Sequence, residues 1–140
     1  MYPAPPTAFH INRLLPSVVK TSPGFPSSGG NVYVVDTGNI RIRKITSSGV
    51  VTTFAGNGSV GFTNGTGTNA TFNRPIGVAV DSAGNVYVAD SSNHRIRKIT
   101  SAGVVTTLAG NSLGYVDGTG TNAGFEYPKG IMTEEFEWLQ

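Results

Sequence analysis

The sequence repeats itself at a nearly fixed spacing, and no other feature limits the fold as tightly. Residues 31–57 align without a gap on residues 85–111, an offset of 85 − 31 = 54, and 21 of the 27 pairs are identical. NVYVVDTGNIRIRKITSSGVVTTFAGN answers NVYVADSSNHRIRKITSAGVVTTLAGN. One residue is then lost, and GFTNGTGTNATFNRPIGV (61–78) answers GYVDGTGTNAGFEYPKGI (114–131) at an offset of 53. A period of this size marks a propeller, solenoid or array.

Within the most complete copy, Pro75–Gly110, the pattern predicts four strands: Ile76–Val80, Asn85–Ala89, Arg95–Thr100 and Val104–Leu108. Val, Ile, Tyr and Thr fill the runs. Asp81–Gly84, Asp90–His94 and Ser101–Gly103 fill the turns, where Gly and Asn supply positive φ. Four strands per repeat and no helical periodicity favour a propeller blade. The earlier copy predicts three matching strands over Asn31–Phe54, with Val32 and Val34 on one face and Tyr33 and Val35 on the other. Ile42 should oppose Arg41 and Arg43, giving one apolar and one polar face. The offset of 54 puts the counterpart of Ile76–Val80 at Ser22–Pro26, where Pro23 and Pro26 argue against an interior strand. Blade one is thus expected to have lost, or never had, a normal innermost strand; within the Pro-rich segment Leu14-Leu15 and Val18-Val19 suggest one short strand.

GVAVDSAGNVYVADSSNHRIRKI (Gly77–Ile99) resembles an NHL repeat, the blade of a six-bladed β-propeller family. The resemblance lies in the apolar strand, the Asp-x-x-Gly-Asn turn, Val-Tyr-Val-Ala-Asp and Asn-His-Arg-Ile. Residues 31–45 match almost as well, with Ile40 where His94 stands. The longer period with its Asp-Gly-Thr-Gly linker is similar to bacterial-type NHL arrays. The implied fold is all-β: a partial β-propeller of four-stranded antiparallel blades. The expected division is an irregular Pro-rich segment (1–28), blade one (29–57) with a degenerate innermost strand, a Gly/Asn/Thr-rich linker (58–74), blade two (75–110), a second linker (111–127) and the start of an incomplete third blade (128–140). Phe62 and Phe72 are expected to anchor the first linker, and Tyr115 and Phe125 the second.

At this period the chain holds 140/54, about 2.6, repeats, and about three are needed for stability. The sequence therefore reads as a fragment, a truncated gene model, or a subunit that completes a ring by association, for which three copies of two blades would suffice. The break at Met132–Trp138 suggests truncation or a shifted reading frame, with Trp138 and Leu139 either docked or loose. Ten Lys+Arg against eight Asp+Glu, 13% charged, do not suggest a dedicated nucleic-acid or membrane binder. Absence of Cys excludes disulfides and thiolate metal sites. No run reaches the ~18 apolar residues of a membrane helix, and residues 1–19 lack a signal-peptide pattern. The compartment stays open, with export an option if the N-terminus is truncated.

Function should sit on the face that gathers Asp36–Ile40 and Asp90–His94 with Asn57–Arg74 and Asn111–Tyr127, because loops on a rigid scaffold carry function. The ligand-face candidates are Asp90, Asn93, His94, Tyr115 and Asp117. Asp36, Arg41, Asp90, Arg95, Gly84 and Asn85 recur as architecture, with the aspartates capping turns or packing against arginine. Arg41, Arg43, Lys44 and Arg95, Arg97, Lys98 form two basic clusters, expected on solvated strand faces. The Asn64–Asn69 and Asp117–Asn122 loops offer too few carboxylates for calcium, and the N-glycosylation triplets there arise from composition. No cofactor, metal ligand or catalytic residue is assigned. The leading reading is a non-catalytic scaffold that binds a protein, peptide or glycan. The alternatives, implied by the resemblance, are part of a metal-dependent lyase or lactone hydrolase whose site needs further blades, and an RNA-binding module, which would need exposed aromatics beside the charge.

Overall fold

The computed structural model describes the backbone of residues 18–20 and the whole of residues 30–134. Two antiparallel sheets account for its regular structure. The first runs β1 (Val18–Lys20), β2 (Val32–Asp36), β3 (Arg41–Ile45), β4 (Val51–Ala55), each beside the next. The second contains β5 (Gly65–Thr66), β6 (Pro75–Val80), β7 (Val86–Asp90), β8 (Arg95–Ile99) and β9 (Val104–Ala109), in the order β5-β9-β8-β7-β6. These sheets are two propeller blades. Both carry a bulge at the same place, between Ile42 and Arg43 and between Ile96 and Arg97.

Two expectations change. Blade one does have an innermost strand: β1 pairs with β2 through Val18–Val34, Val19–Tyr33 and Lys20–Val32. In blade two, Val78–Val88, Ala79–Tyr87 and Val80–Val86 make the same pairs. Val18 thus stands where Val78 does, an offset of 78 − 18 = 60 in place of 54, because the β1–β2 connection is six residues longer. The Ser22–Pro26 register lies outside the described residues, as do Trp138 and Leu139. The first linker is also more than an irregular loop. Gly65 and Thr66 form β5 and add a fifth strand to the outer edge of blade two. The Gly67 N–H reaches the Gly103 carbonyl at 2.9 Å while its own carbonyl takes the Gly56 N–H at 3.1 Å, tying the two blades together.

The hairpin turn joining β6 to β7 explains Gly84 and Asn85. Gly84 holds φ at 83° and bonds back to the Asp81 carbonyl at 3.0 Å. Asp81 Oδ1 accepts the Ala83 and Asn85 N–H groups at 3.0 and 2.9 Å, and Oδ2 accepts the Asn85 amide and Tyr87 hydroxyl at 3.0 and 2.8 Å. Burial pushes this carboxyl up, but the four donors outweigh it and hold it below the usual range. The ionised form therefore adds stability above the unfolded value of about 3.9, and that stability is lost as pH falls through the lower folded value. Asp81→Asn should cost about 1 kcal/mol at neutral pH. The gap from wild type should narrow as pH falls below the unfolded value of about 3.9 and through the lower folded one. Urea melts across that range check it; a gap independent of pH would remove the charge from this account.

The core lies between the blades: Tyr33, Val35 and Ile42 from blade one meet Val78, Val86, Val88, Ile99 and Val105 from blade two, with Phe72 of the linker among them. The near-identical strands are covered differently, although Val35 and its counterpart Ala89 are both buried. In β2, Tyr33 and Val35 are buried and Val32 and Val34 half-buried; in β7, Val86 and Val88 are buried and Tyr87 half-buried. β2 is thus buried on the face it turns to blade two and half-buried on the other. Beyond blade two, residues 128–134 form no strand but lie against β6: a Cβ on Gly77 would overlap the Lys129 carbonyl, and Thr133 Oγ1 donates to the Val80 carbonyl at 2.9 Å.

Candidate functional site

The β7–β8 turn organises the loop face. Ser91–Asn93 make a single 3-10 turn closed by the His94 N–H on the Ser91 carbonyl, and His94 takes the left-handed conformation at φ 55°. Thr37–Asn39 and Ile40 repeat this geometry, so the position serves a turn before it serves a ligand. Asn93 donates to the Gly61 carbonyl at 2.8 Å, and the Ser92 N–H to the Asn73 carbonyl at 3.0 Å. Linker residues 61–63 and 71–74 therefore lie beside this turn, whereas Gly65–Asn69 leave the expected face and follow the outer edge of β9.

Asp90 does not reach the face at all; it is 0% exposed. Its Oδ1 accepts the Asn73 N–H at 2.8 Å, and its Oδ2 accepts Asn93 Nδ2 at 2.7 Å and Arg97 Nη1 at 3.0 Å. The ion pair is thus with Arg97, not with Arg95, the cross-strand neighbour that sequence spacing suggested. A long side chain on the diagonal reaches where the directly opposite one points elsewhere. Arg97 is also 0% exposed, which corrects its placement on a solvated strand face. It donates to the carbonyls of Thr71 and Thr63 at 2.9 and 3.1 Å and to Asn64 Oδ1 at 2.9 Å, with its guanidinium 5.1 Å from the centre of the Phe72 ring. Burial pushes the Asp90 carboxyl up, against donors that pull it down, and pushes Arg97 down, against Asp90. A buried pair holds its charges only while its partners stay in place. The signal was legible: aspartate and arginine stand seven residues apart in both copies, 36/43 and 90/97.

Blade one carries the same set in the open. Arg43 Nη1 meets Asp36 Oδ2 at 3.2 Å with the side chains 31% and 29% exposed, and Asn39 donates to both Asp36 oxygens at 3.1 and 3.0 Å. Arg41 and Arg95 hold the start of each linker, through the Asn57 carbonyl at 2.9 Å and through Asn111 Oδ1 at 3.0 Å. Arg95 also covers Phe62, 3.9 Å from the ring centre.

Of the ligand-face candidates, His94, Tyr115 and Asp117 remain accessible, while Asn93 is bound into the turn. His94 packs edge-on against Tyr127 with ring centres 4.5 Å apart, and its Nδ1 accepts the Tyr127 N–H at 3.1 Å. Tyr127 was not among the sequence candidates; it became one only through this fold-back. Tyr115 is 94% exposed and anchors nothing, unlike the expectation; likewise Phe62 stays 56% exposed, leaving Phe72 as the buried anchor. Tyr115 and Asp117 border an open hollow of about 540 Å³ formed by residues 114–118 and 123–126. Among the described residues no three His, Cys, Asp or Glu side chains come together in a metal-holding group, and no helix is long and apolar enough to cross a membrane.

The NHL-repeat family model matches residues 72–99. NHL repeat-containing protein 2 of Gallus gallus is 38% identical over 102 residues, 72% of this chain and 14% of that protein. Protein SUPPRESSOR OF QUENCHING 1, chloroplastic, of Arabidopsis thaliana is 35% identical over 74 residues, 52% of this chain and 7% of that protein. Among solved structures, a Bacteroides thetaiotaomicron protein of unknown function superposes with a TM-score of 0.68 at 32% identity, covering 74% of this chain and 27% of the other. An auxiliary nutrient binding protein of the same bacterium superposes with a TM-score of 0.68 at 25% identity, covering 75% and 30%. The chain therefore spans a small part of each relative. With its two sheets, its paired turns and these matches, the chain belongs to the NHL-repeat β-propeller family and carries about two of its blades.

Proposed function

We propose that this chain is a non-catalytic NHL scaffold whose loop face takes up a protein, peptide or glycan ligand. One observation carries the reading: the second linker presents two exposed tyrosines, one of them resting on the hydrogen-bonded β7–β8 turn. Tyr115 is 94% and Tyr127 50% exposed, and Tyr127 is braced by His94. Tyrosine presents a large rigid surface with a polar tip at low entropic cost, which suits sugar rings and peptide side chains alike. The buried Asp90–Arg97 pair fixes the turn beneath, so little ordering is left for the ligand to impose. The description of one structural neighbour as an auxiliary nutrient binding protein is consistent with a binding role.

The test is an amide chemical-shift titration of the labelled chain with a panel of soluble oligosaccharides and unstructured peptides. Shifts are expected at His94, Tyr115, Asp117 and Tyr127 with one class of probe, and should disappear in Tyr115→Ala/Tyr127→Ala. Silence across the panel, or shifts confined to the opposite turns at Asp81–Asn85 and Ser101–Gly103, overturns the reading.

A further inference from the structure

We infer that Asn57 is a site of spontaneous covalent modification: its side-chain amide is lost through an imide formed with Gly58, and Arg41 receives the isoaspartate that results. Of the asparagines in the chain, only Asn57 and Asn64 precede a glycine. A residue without a side chain leaves its own amide nitrogen unshielded for attack on the carboxamide before it. The two dipeptides are chemically alike and lie in one linker, so a difference between them comes from the fold.

Asn57 is exposed, and its Oδ1 accepts the Ser59 N–H at 2.8 Å. That bond closes an Asx turn, a ring that contains both Asn57 Cγ and the Gly58 nitrogen. The donor also faces the oxygen on which negative charge develops when Cγ is attacked. Gly58 holds φ at 89°, and a Cβ there would stand 2.7 Å from Arg41 Nη1, so the turn requires glycine where the reaction also favours it. Among the described residues no backbone carbonyl accepts from the Gly58 N–H. Arg41 donates to the Asn39 carbonyl through Nη1 and to the Asn57 carbonyl through Nη2, each at 2.9 Å, which fixes its guanidinium over the site.

The chemistry needs only water. The Gly58 nitrogen bonds to Asn57 Cγ, its proton passes to solvent base, and the Cγ–Nδ2 bond breaks as a solvent proton turns the leaving nitrogen into ammonia. Water then opens the imide. Addition at the former backbone carbonyl, which Arg41 polarises, breaks the bond from that carbon to the Gly58 nitrogen. The chain now runs through Cγ, and the old carbonyl becomes a carboxylate. Arg41 already holds that oxygen, so a hydrogen bond becomes an ion pair.

Asn64 has the same neighbour in a different setting. Its Oδ1 is held at 2.9 Å by Arg97, which is 0% exposed and tied to Asp90, Thr63 and Thr71 as well. Gly65 lies in β5 opposite Val105. Closing an imide here would break the Arg97 contact and pull Gly65 out of its pairing. The second linker has neither dipeptide: Asn111 precedes Ser112, and Asp117 stands for Asn64. The modification therefore belongs to the first linker alone, where it adds a negative charge and an extra backbone atom to the loop face beside Arg41.

Peptide mapping of the chain held at mildly alkaline pH and body temperature tests this, with fragment spectra assigning each amide-to-acid conversion to residue 57 or 64. In the native chain Asn57 should convert at least about tenfold faster than Asn64, the factor set by first opening one hydrogen bond to a charged group. In urea that unfolds the chain the two rates should converge. Asn64→Asp keeps an acceptor for Arg97 and leaves a single Asn-Gly pair, so native conversion at Asn57 should persist in it undiminished. An isoaspartate carboxyl methyltransferase with a labelled methyl donor should mark the peptide that carries residue 57. Arg41→Ala, its fold checked by circular dichroism, should lower the share of isoaspartate against aspartate there. Equal native rates at the two sites, faster conversion at Asn64, or an unchanged Asn57 over a time in which the unfolded chain converts fully would overturn the inference. An isoaspartate share indifferent to Arg41→Ala overturns the assignment of Arg41.

Discussion

Arg97→Ala is expected to lower stability by about 3–5 kcal/mol, while Arg43→Ala at the same position of blade one costs about 0–1 kcal/mol. The two arginines share strand, neighbours in sequence and an aspartate seven residues earlier. They differ in what covers them. Arg97 is 0% exposed, with Asp90 at 3.0 Å and three further acceptors from the linker. Truncation leaves the Asp90 charge uncompensated in the interior and strips hydrogen bonds from the Thr63 and Thr71 carbonyls. Arg43 leaves a carboxylate that water still reaches. Urea unfolding of the two variants beside the parent measures the difference, read at a concentration where all three are monomeric. Where total stability is about 5 kcal/mol, Arg97→Ala will be largely unfolded without denaturant. Adding Asp90→Asn to Arg97→Ala should recover part of the loss, because the stranded charge is its largest component. Equal losses at positions 43 and 97 would refute the assignment of the pair as an inter-blade strut.

Phe72→Ala is expected to cost about 3–5 kcal/mol, against roughly 0.5–1 kcal/mol for Phe62→Ala, which loses a surface cation–π contact. Ten residues separate these aromatics in one linker, and spacing alone suggested that both anchor it. Phe72 is 0% exposed in the shared core and lies under the Arg97 guanidinium; Phe62 is 56% exposed with Arg95 above it. A Cβ on Gly56, at the end of β4, would come within 3.3 Å of the Phe72 ring, so this side chain touches blade one as well as blade two. Its removal opens a cavity between blades, and hydrogen exchange should accelerate in β3 and β8 together. A loss below about 1.5 kcal/mol, or faster exchange in one sheet alone, would show that Phe72 belongs to a single blade.

Strands, turns and repeat register were legible because each is encoded locally. Alternating β-branched residues need no partner to declare a strand, and Asp81, Gly84 and Asn85 close their turn within five residues. What escaped was non-local. The β1–β2 register depended on six extra residues in a connection that pattern cannot align. β5 is two residues of Gly-Thr that become a strand only because β9 presents an open edge. Tyr127 joined the candidate surface through a bond to His94, 33 positions away in the chain.

By itself the sequence determined the blade: four strands, their order and the turn chemistry. Tertiary structure alone decided which face of each blade is interior. Val32 and Val86, Arg43 and Arg97, Phe54 and Leu108 occupy matching positions in nearly identical strands, yet one of each pair is covered and the other is not, or less so. The physical reason is that burial belongs to a pair of surfaces, not to a residue. A blade has two faces able to pack, and each becomes core only where a neighbour removes it from water. Blade one has that neighbour on one side and blade two on the other, so the same residues are a buried strut in one copy and a presented surface in the other.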